Sequence, residues 1–356
     1  MSGRTDAAGG GRERAARHFL EGLRRRHGSG AVRDALAKFR PLKVLVVGEA
    51  IIDEYDYCVP LGKAPKDPMI SARHVKLERQ AGGVLACANH LAGFCDEVDL
   101  VTSLGADDSQ EAFIRDGLRP NIRPRFFLHD GASTTTKRRY VSEPGLLKMF
   151  EVAVLDDTPL PPAVEDRMLA HLEATLPIHD LVVVSDYGHG FLGPRAVDLL
   201  AAGARYLAVN TQTNPANLGF HVITRYPRAD YVSLDEEEAR LATRDRRGTL
   251  SEVADALRRC LGHPALSITR AQHGVLVSGA DGVTWEIPAL ANDVVDRMGA
   301  GDAYFAVSSL SAAAGLPLDV VGLLGSAAGA VALRIVGNRS SVDASAIERL
   351  LSELRL

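Results

Sequence analysis

A surplus of positive charge is the first thing this 356-residue chain lacks: 41 lysines and arginines stand against 45 acids, a formal net charge of −4. Nucleic-acid-binding surfaces normally need a basic excess, so no nucleic-acid partner is expected. Long hydrophobic runs are missing too. None approaches the roughly 20 residues that cross a bilayer, so no membrane partner is expected either. Cysteine is scarce: Cys58, Cys87, Cys95 and Cys260 are scattered, with no C-x-x-C pair. That pattern suggests neither a zinc site nor a disulfide framework, and it points to the reducing cytoplasm. No repeat with a period of 20–50 residues is present.

What is present is ordinary in amount, with 46% hydrophobic and 24% charged residues, and informative in its order. Residues 1–40 form an N-terminal extension. Its first 11 residues are Gly-rich and polar, which predicts disorder. Ala16, Phe19, Leu20 and Leu23 then recur at helical spacing, and 32–39 repeats the pattern. An amphipathic helix packing on the main domain or on a second subunit is expected. Residues 41–356 read as one domain. It opens at Lys43-Val44-Leu45-Val46-Val47-Gly48, an apolar run typical of a strand buried on both faces of a parallel sheet. Similar runs recur at 98–103, 181–185, 206–209, 231–234 and 266–269. Helical patterns lie between most of them, at 86–94, 163–176, 196–202, 236–242 and 250–261. This alternation predicts an α/β fold, a doubly wound sandwich around a mostly parallel sheet. The stretches 55–80 and 133–152 break the rhythm, being polar and alternating like exposed strands. They predict a small β-sheet lid projecting over an active cleft.

The chemistry concentrates where strands end. Asp296-Arg297-Met298-Gly299-Ala300-Gly301-Asp302 is a glycine-flanked turn followed at once by a small-residue apolar stretch. Free N–H groups of Gly299, Ala300 and Gly301 at a helix start would form an anion hole. Asp302 placed there can take a proton from an alcohol, a pairing that suits phosphoryl transfer to a hydroxyl; a plain N-cap is the alternative. Asp53 lies just past the first strand, where it can accept hydrogen bonds from sugar hydroxyls or cap a turn. Gly82-Gly83 opens a small-residue helix and allows close backbone approach to a ligand. Asp186, after the strand at 181–185, is expected at the same cleft mouth, whereas His189 nearby carries no assigned role. Asp235 and Glu238 share a face on an opening helical turn, suited to waters around Mg²⁺ or to complementing the helix dipole. Thr269, Arg270 and Gly274 end another strand in a loop suited to a nucleotide, and Ser326 lies in a very small-residue helix able to pack on a flat base. In the lid stretch, alternation sends Lys137 and Arg139 to one face, able to grip a phosphate, or else to form a solvated basic edge.

In this order, these residues resemble the ribokinase, or PfkB-type, carbohydrate kinase family from about residue 43 onward. The G-x-x-x-x-D start, the diglycine, the D-x-x-E segment and the D-x-x-G-A-G-D signature all occur. Ser185-Asp186-Tyr187 with Gly190, Thr269-Arg270 with Gly274, and Thr136-Lys137-Arg138-Arg139 are most similar to the branch that phosphorylates heptose 7-phosphate at its anomeric hydroxyl. The resemblance implies a ribokinase-like fold, ATP and Mg²⁺, and a homodimer. It implies Asp302 as base beside its anion hole, and the sugar near Asp53, Gly82, Gly83, Lys137, Arg139 and Asp186. ATP would lie near Asn210, Thr269, Arg270, Gly274 and Ser326, with Mg²⁺ near Asp235 and Glu238. Bifunctional members of the branch carry a nucleotidyltransferase with an H-x-G-H motif, absent here, so a separate nucleotidyltransferase is expected as a partner. Four positions depart from the family pattern. Ala86 replaces an asparagine, leaving Asn89 nearby as the substrate-side candidate. Asn210-Thr211-Gln212 replaces D-P-K, Asp235 replaces asparagine, and Arg297-Met298 stand where threonines are common. The first two favour a diverged sugar- or nucleotide-binding homologue without turnover, which Asp302 opposes. Asp296-Arg297 with Gly299 also resembles 2-keto-3-deoxygluconate-type sugar-acid kinases.

Overall fold

The computed structural model describes residues 5–291 and 293–354. Thirteen strands are found among them: β1 (Val44–Gly48), β2 (Ala50–Lys63), β3 (Ile70–Gly83), β4 (Val98–Gly105), β5 (Ile122–His129), β6 (Thr136–Ser142), β7 (Leu147–Val154), β8 (Leu181–Asp186), β9 (Leu207–Thr211), β10 (Tyr231–Asp235), β11 (Ala265–Thr269), β12 (Val275–Ser278) and β13 (Thr284–Ile287). Nine of them make one sheet in the order β13-β12-β11-β10-β9-β8-β1-β4-β5. It is parallel from β5 through β11, with β12 and β13 added antiparallel at one edge. The sequence periodicity predicts six of these nine. It does not show β5, where Arg123, Pro124 and Arg125 interrupt the apolar pattern of an edge strand, nor the two four-residue edge strands β12 and β13.

The continuous apolar reading of β1 has a direct cause. Val44 and Val46 pack into one core, while Leu45 and Val47 pack into the other, on the opposite face. Successive side chains point to opposite faces, and helices cover both, so neither set can be polar. Helices Val84–Leu91, Ala300–Ala313 and Leu318–Ala332 cover the first face, and Pro162–Thr175, Pro194–Gly203 and Leu250–Cys260 the second.

The remaining four strands form a separate sheet, β3-β2-β6-β7, at the positions expected of the lid. Long β2 and β3 pair antiparallel from Ala50–Gly83 out to Lys63–Ile70. The N-terminal extension contains helices Thr5–His27 and Ala31–Ala37. Helix thus covers residues 5–11, expected to be disordered; residues 1–4 lie outside the described part. Ala16, Leu20 and Leu23 join the first core, and Arg26 Nε donates to Asp319 at 2.9 Å while its guanidinium lies over Trp285. The extension therefore packs on its own domain. No described helix is long and apolar enough to cross a membrane.

Candidate active site

Gly299 adopts φ +77°, a left-handed conformation that favours glycine, and a Cβ there would lie 2.3 Å from Asn338 Oδ1. The turn it makes starts helix Ala300–Ala313 and sets Asp302 in the helix's first turn. The opening N–H groups of such a helix have no intrahelical acceptor, so they stay available to an anion. Asp302 Oδ1 accepts hydrogen bonds from Tyr187 Oη at 3.0 Å and Gln212 Nε2 at 3.3 Å. Burial pushes its pKa up to about 6; the nearby Asp53 charge adds to this, and the Tyr187 bond and Lys137 oppose it. Asp296, at the head of the turn, ties it to the lid by accepting from Tyr55 Oη at 2.7 Å and pairing with Lys148.

Asp302 lines a cavity of about 220 Å³ whose walls come from both sheets and include Asp53, Gly83, Lys137, Arg139, Tyr187, Gln212, Gly299, Gly301 and Asn338. Asp53 accepts from Asn338 Nδ2 at 3.0 Å and pairs with Arg139. A Cβ at Gly82 would stand 2.1 Å from Asp53 Oδ2, so glycine there makes room for the carboxylate. At Gly83, with φ +58°, a Cβ would meet Glu49 O at 2.6 Å. Lys137 and Arg139 do share a face. The buried Arg139 guanidinium, however, is already engaged by Asp53 and by Glu151 at 2.9 Å. Lys137 Nζ lies 5.8 Å from the Tyr187 ring centroid, and burial lowers its pKa.

Two expected residues lie elsewhere. Asp186 is fully buried and does not line the cavity. Its carboxylate accepts from Gly188 N, Arg225 and Tyr226 Oη, and pairs with His221 at 3.0 Å. Burial alone would raise its pKa, but His221, Arg225 and Tyr226 outweigh that and hold it below the ordinary value. A strand-end position fixes where an acid sits along the sheet, not which way its side chain turns; the following residue, Tyr187, reaches Asp302 instead. Asn89 is likewise absent from this cavity. Its Nδ2 donates to Gly117 O and its Oδ1 accepts from Arg119 N, both at 2.9 Å, so its amide is engaged in holding a turn.

Four residues at or behind the site are given no role by the sequence: Tyr187 and Gln212, which belong to motifs noted above, and Asn338 and Glu49. Glu49 is buried, and its carboxylate accepts from Tyr187 N at 2.9 Å and His189 N at 3.1 Å. Burial and the Asp186 charge raise its pKa to about 7. The only local signal was position, immediately after a buried strand.

Of the residues expected near a nucleotide or its metal, Asn210, Asp235 and Thr269 sit at the carboxyl ends of β9, β10 and β11, Arg270 and Gly274 in the loop that follows β11, and Ser326 in helix Leu318–Ala332. Asp235 and Thr269 are paired in register. Asp235 and Glu238 form a reciprocal capping box on helix Glu236–Thr243, so the helix-dipole role is present. Glu238 Oε1 also accepts from Thr213 N at 3.0 Å. Burial, Asp235 and, more weakly, Asp302 raise the Glu238 pKa to about 8. Asn210 Nδ2 donates to Ser233 O at 2.7 Å, and Thr269 Oγ1 to Leu234 O at 3.4 Å. Arg270 lies 3.4 Å from Glu286, and a Cβ at Gly274 would clash with Ile287 O. Buried Ser326 Oγ has no partner. Among the described residues no three His, Cys, Asp or Glu side chains cluster as a ready-made metal site.

A parallel sheet with helices on both faces, a lid sheet, and an acid at a glycine turn between them define a ribokinase-like sugar-kinase architecture. Residues 41–345 match the family model described as pfkB family carbohydrate kinase, and the chain belongs to that family of phosphotransferases. It is 28% identical over 320 residues to the bifunctional protein HldE of Shewanella amazonensis, covering 89% of this chain and 65% of that protein. It is 29% identical over 295 residues to the HldE of Nitrobacter winogradskyi, covering 82% and 60%. The chain thus spans less than two thirds of the length of these relatives. Arabidopsis thaliana ribokinase, solved with ribose and ATP, superposes with a TM-score of 0.64 at 16% identity, over 87% of this chain and 99% of that one. A carbohydrate kinase from Agrobacterium tumefaciens gives 0.64 at 21%, over 87% and 97%. These likenesses show the fold.

Proposed function

We propose that the chain is an ATP-dependent kinase that phosphorylates a sugar already bearing a phosphate, with heptose 7-phosphate as acceptor and the anomeric hydroxyl as nucleophile. The observation that carries this reading is Asp302, held at a free helix start, with a raised pKa, in a cavity that also contains Asp53 and Lys137. Asp302 takes the hydroxyl proton as that oxygen attacks the γ-phosphorus and ADP leaves, while the amides of Ala300 and Gly301 meet the developing charge. Gln212 and Tyr187 orient the carboxylate. Asp53 accepts from the sugar's other hydroxyls. The nucleotide lies along Asn210, Thr269, Arg270, Gly274 and Ser326, where the unpartnered Ser326 hydroxyl is free to bond.

Buried Glu238 stands beside the exposed Asp235, and burial, Asp235 and Asp302 disfavour its charged form, a penalty that a hydrated Mg²⁺ between them would relieve. Bound there, Mg²⁺ supplies charge neutralisation for the phosphates. The same reading includes a homodimer and a separate nucleotidyltransferase acting on the product. Sugar-acid kinase activity is the second reading, favoured by Arg297, whose cation lines the cavity and would suit a carboxylate. Measuring ATP consumption with heptose phosphates, free sugars and 2-keto-3-deoxygluconate separates the two. Turnover confined to the sugar acid overturns the first reading, and turnover with no acceptor favours a diverged binding homologue.

A further inference from the structure

A second and larger cavity, about 660 Å³, adjoins the one that holds Asp302, and the two share Asn338. That volume is in the range of small-molecule sites. It lies between β3, helix Val84–Leu91, the turn that follows helix Glu111–Gly117, and the chain from 338 to 343. Three arginines line it, and they differ in what already neutralises them. Arg339 is engaged by Glu78, and Arg79 by Glu54 at 3.0 Å. Arg119 is not matched in this way. Its Nε donates to Ser341 Oγ at 2.8 Å, the nearest carboxylate is Asp343 at 3.9 Å, and its Nη1 pairs with nothing among the described residues. Asp343 caps a helix through Oδ1, which accepts from Ala346 N and Ser345 Oγ, and faces Arg119 only with Oδ2, at a distance longer than a hydrogen bond.

The rest of the wall is built to hold that guanidinium in place and to add donors. Asn89 accepts from Arg119 N and so fixes its backbone. Gln80 is 5% exposed. Its Oε1 accepts from Asn338 N, but its Nε2 has no hydrogen-bond partner at all, an unsatisfied donor in the cavity wall. Such a group calls for an acceptor. His90, also in the wall, accepts from Val342 N through Nδ1; burial first and the Arg119 charge second hold its pKa at about 4, so the ring is neutral at pH 7. A guanidinium held by one hydroxyl and, at 3.9 Å, by one carboxylate lines the same cavity as an orphaned amide donor, next door to the reacting acid, and can receive an anion with several acceptor oxygens.

We propose that this cavity, through Arg119 and Gln80, binds the phosphate monoester that the acceptor already carries, while its reacting hydroxyl lies at Asp302. The inference rests on the kinase reading above. It moves recognition of the phosphate from Arg139, whose guanidinium Asp53 and Glu151 occupy, to Arg119 on the far side of Asn338. Asp53 and Asn338 then divide the acceptor into a sugar end and an anionic end.

The test is calorimetric titration of the full chain with three probes: heptose 7-phosphate, the unphosphorylated heptose and inorganic phosphate. The proteins are the wild type, Arg119→Gln, Arg119→Lys and, separately, Asp302→Asn, with melting curves as a folding control. The wild type should bind the sugar phosphate more tightly than the free sugar, with inorganic phosphate competing. Arg119→Gln should weaken the sugar phosphate by about 10- to 100-fold, the range for a charge-assisted hydrogen bond, and leave the free sugar unchanged. Arg119→Lys should recover part of the loss. Equal binding of the sugar phosphate by wild type and Arg119→Gln overturns the proposal, as does failure of the wild type to bind either phosphate. Equal weakening of both sugars assigns Arg119 a structural role. Loss of inorganic phosphate alone assigns the cavity to a separate effector, again against the proposal. Because binding is read without turnover, absence of kinase activity would strike the function proposed above and leave this measurement standing; Asp302→Asn should keep the wild-type preference.

Discussion

Every residue of β1, near the middle of the large sheet, is buried, whereas in β7, at an edge of the small one, most side chains are exposed. The nine-stranded sheet has a core on each face. The four-stranded sheet leaves Ile70, Leu147, Phe150, Val152 and Val154 open to solvent. The cavity containing Asp302 draws on both: the acid and its Tyr187 and Gln212 partners come from the body, and Asp53, Lys137 and Arg139 from the lid. A helix packed on the doubly covered sheet therefore carries the group assigned to chemistry, and the more exposed sheet carries groups assigned to the acceptor. That division predicts that damage to the body side lowers turnover, while damage to the lid side raises KM.

The largest effect should come from Asp302→Asn, with turnover falling about 10²–10⁴-fold and acceptor binding retained. Near-normal turnover at saturating substrate would remove Asp302 from the role of base and dissolve the division. The same group sets the pH dependence. A base must be deprotonated, and its pKa is raised to about 6, so kcat/KM for the acceptor should rise with pH and level off above about 6. Asp302→Glu should move that inflection if the carboxylate titrates in the profile; an unmoved inflection assigns it to another group. Next in size is packing in the body. Leu100 in β4 is wholly buried, so Leu100→Ala should cost about 2–5 kcal/mol in denaturant unfolding.

The contrast between the sheets also explains what could be read in advance. Strands buried on both faces announce themselves as unbroken apolar runs, as at Leu181–Asp186, and lid strands as alternation, as at Thr136–Ser142. Edge strands do neither, and β5, with arginines at 123 and 125, was invisible. Within the site, the turn from Gly299 to Asp302 was legible because its geometry is set by consecutive residues. Tyr187, Gln212 and Asn338 were not, since each reaches the cavity from a different element, and only tertiary structure brings them together. Asp186 and Asn89 show the converse: residue type and position alone do not distinguish a ligand-facing group from one engaged in holding the backbone.

A smaller effect should separate the two roles of Glu238. Glu238→Gln leaves one amide oxygen where two carboxylate oxygens accept from Asp235 N and Thr213 N, and it removes the ionisable carboxylate, so the magnesium concentration needed for half-maximal activity should rise several-fold while the melting temperature falls only by the loss of one hydrogen bond. An unchanged magnesium titration would leave the helix cap as its whole role.

The smallest effect belongs to the lid. Phe150 in β7 is 57% exposed, and it stacks on Tyr140 at 4.5 Å between ring centroids. Phe150→Ala therefore removes a cross-strand pair and little buried area, and opens no cavity. A cross-strand aromatic pair contributes about 0.2–1 kcal/mol, so unfolding of the variant should lie within about 1 kcal/mol of wild type. Leu100→Ala removes less side chain yet should cost several times more, because its surroundings cannot close over the gap. Equal costs for the two substitutions, measured by denaturant unfolding under one condition, would mean that Phe150 is covered by something beyond its own chain. The lid would then be a doubly covered sheet like the body, and the difference in burial would no longer separate the side of the cavity proposed for the reacting acid from the side proposed for the acceptor.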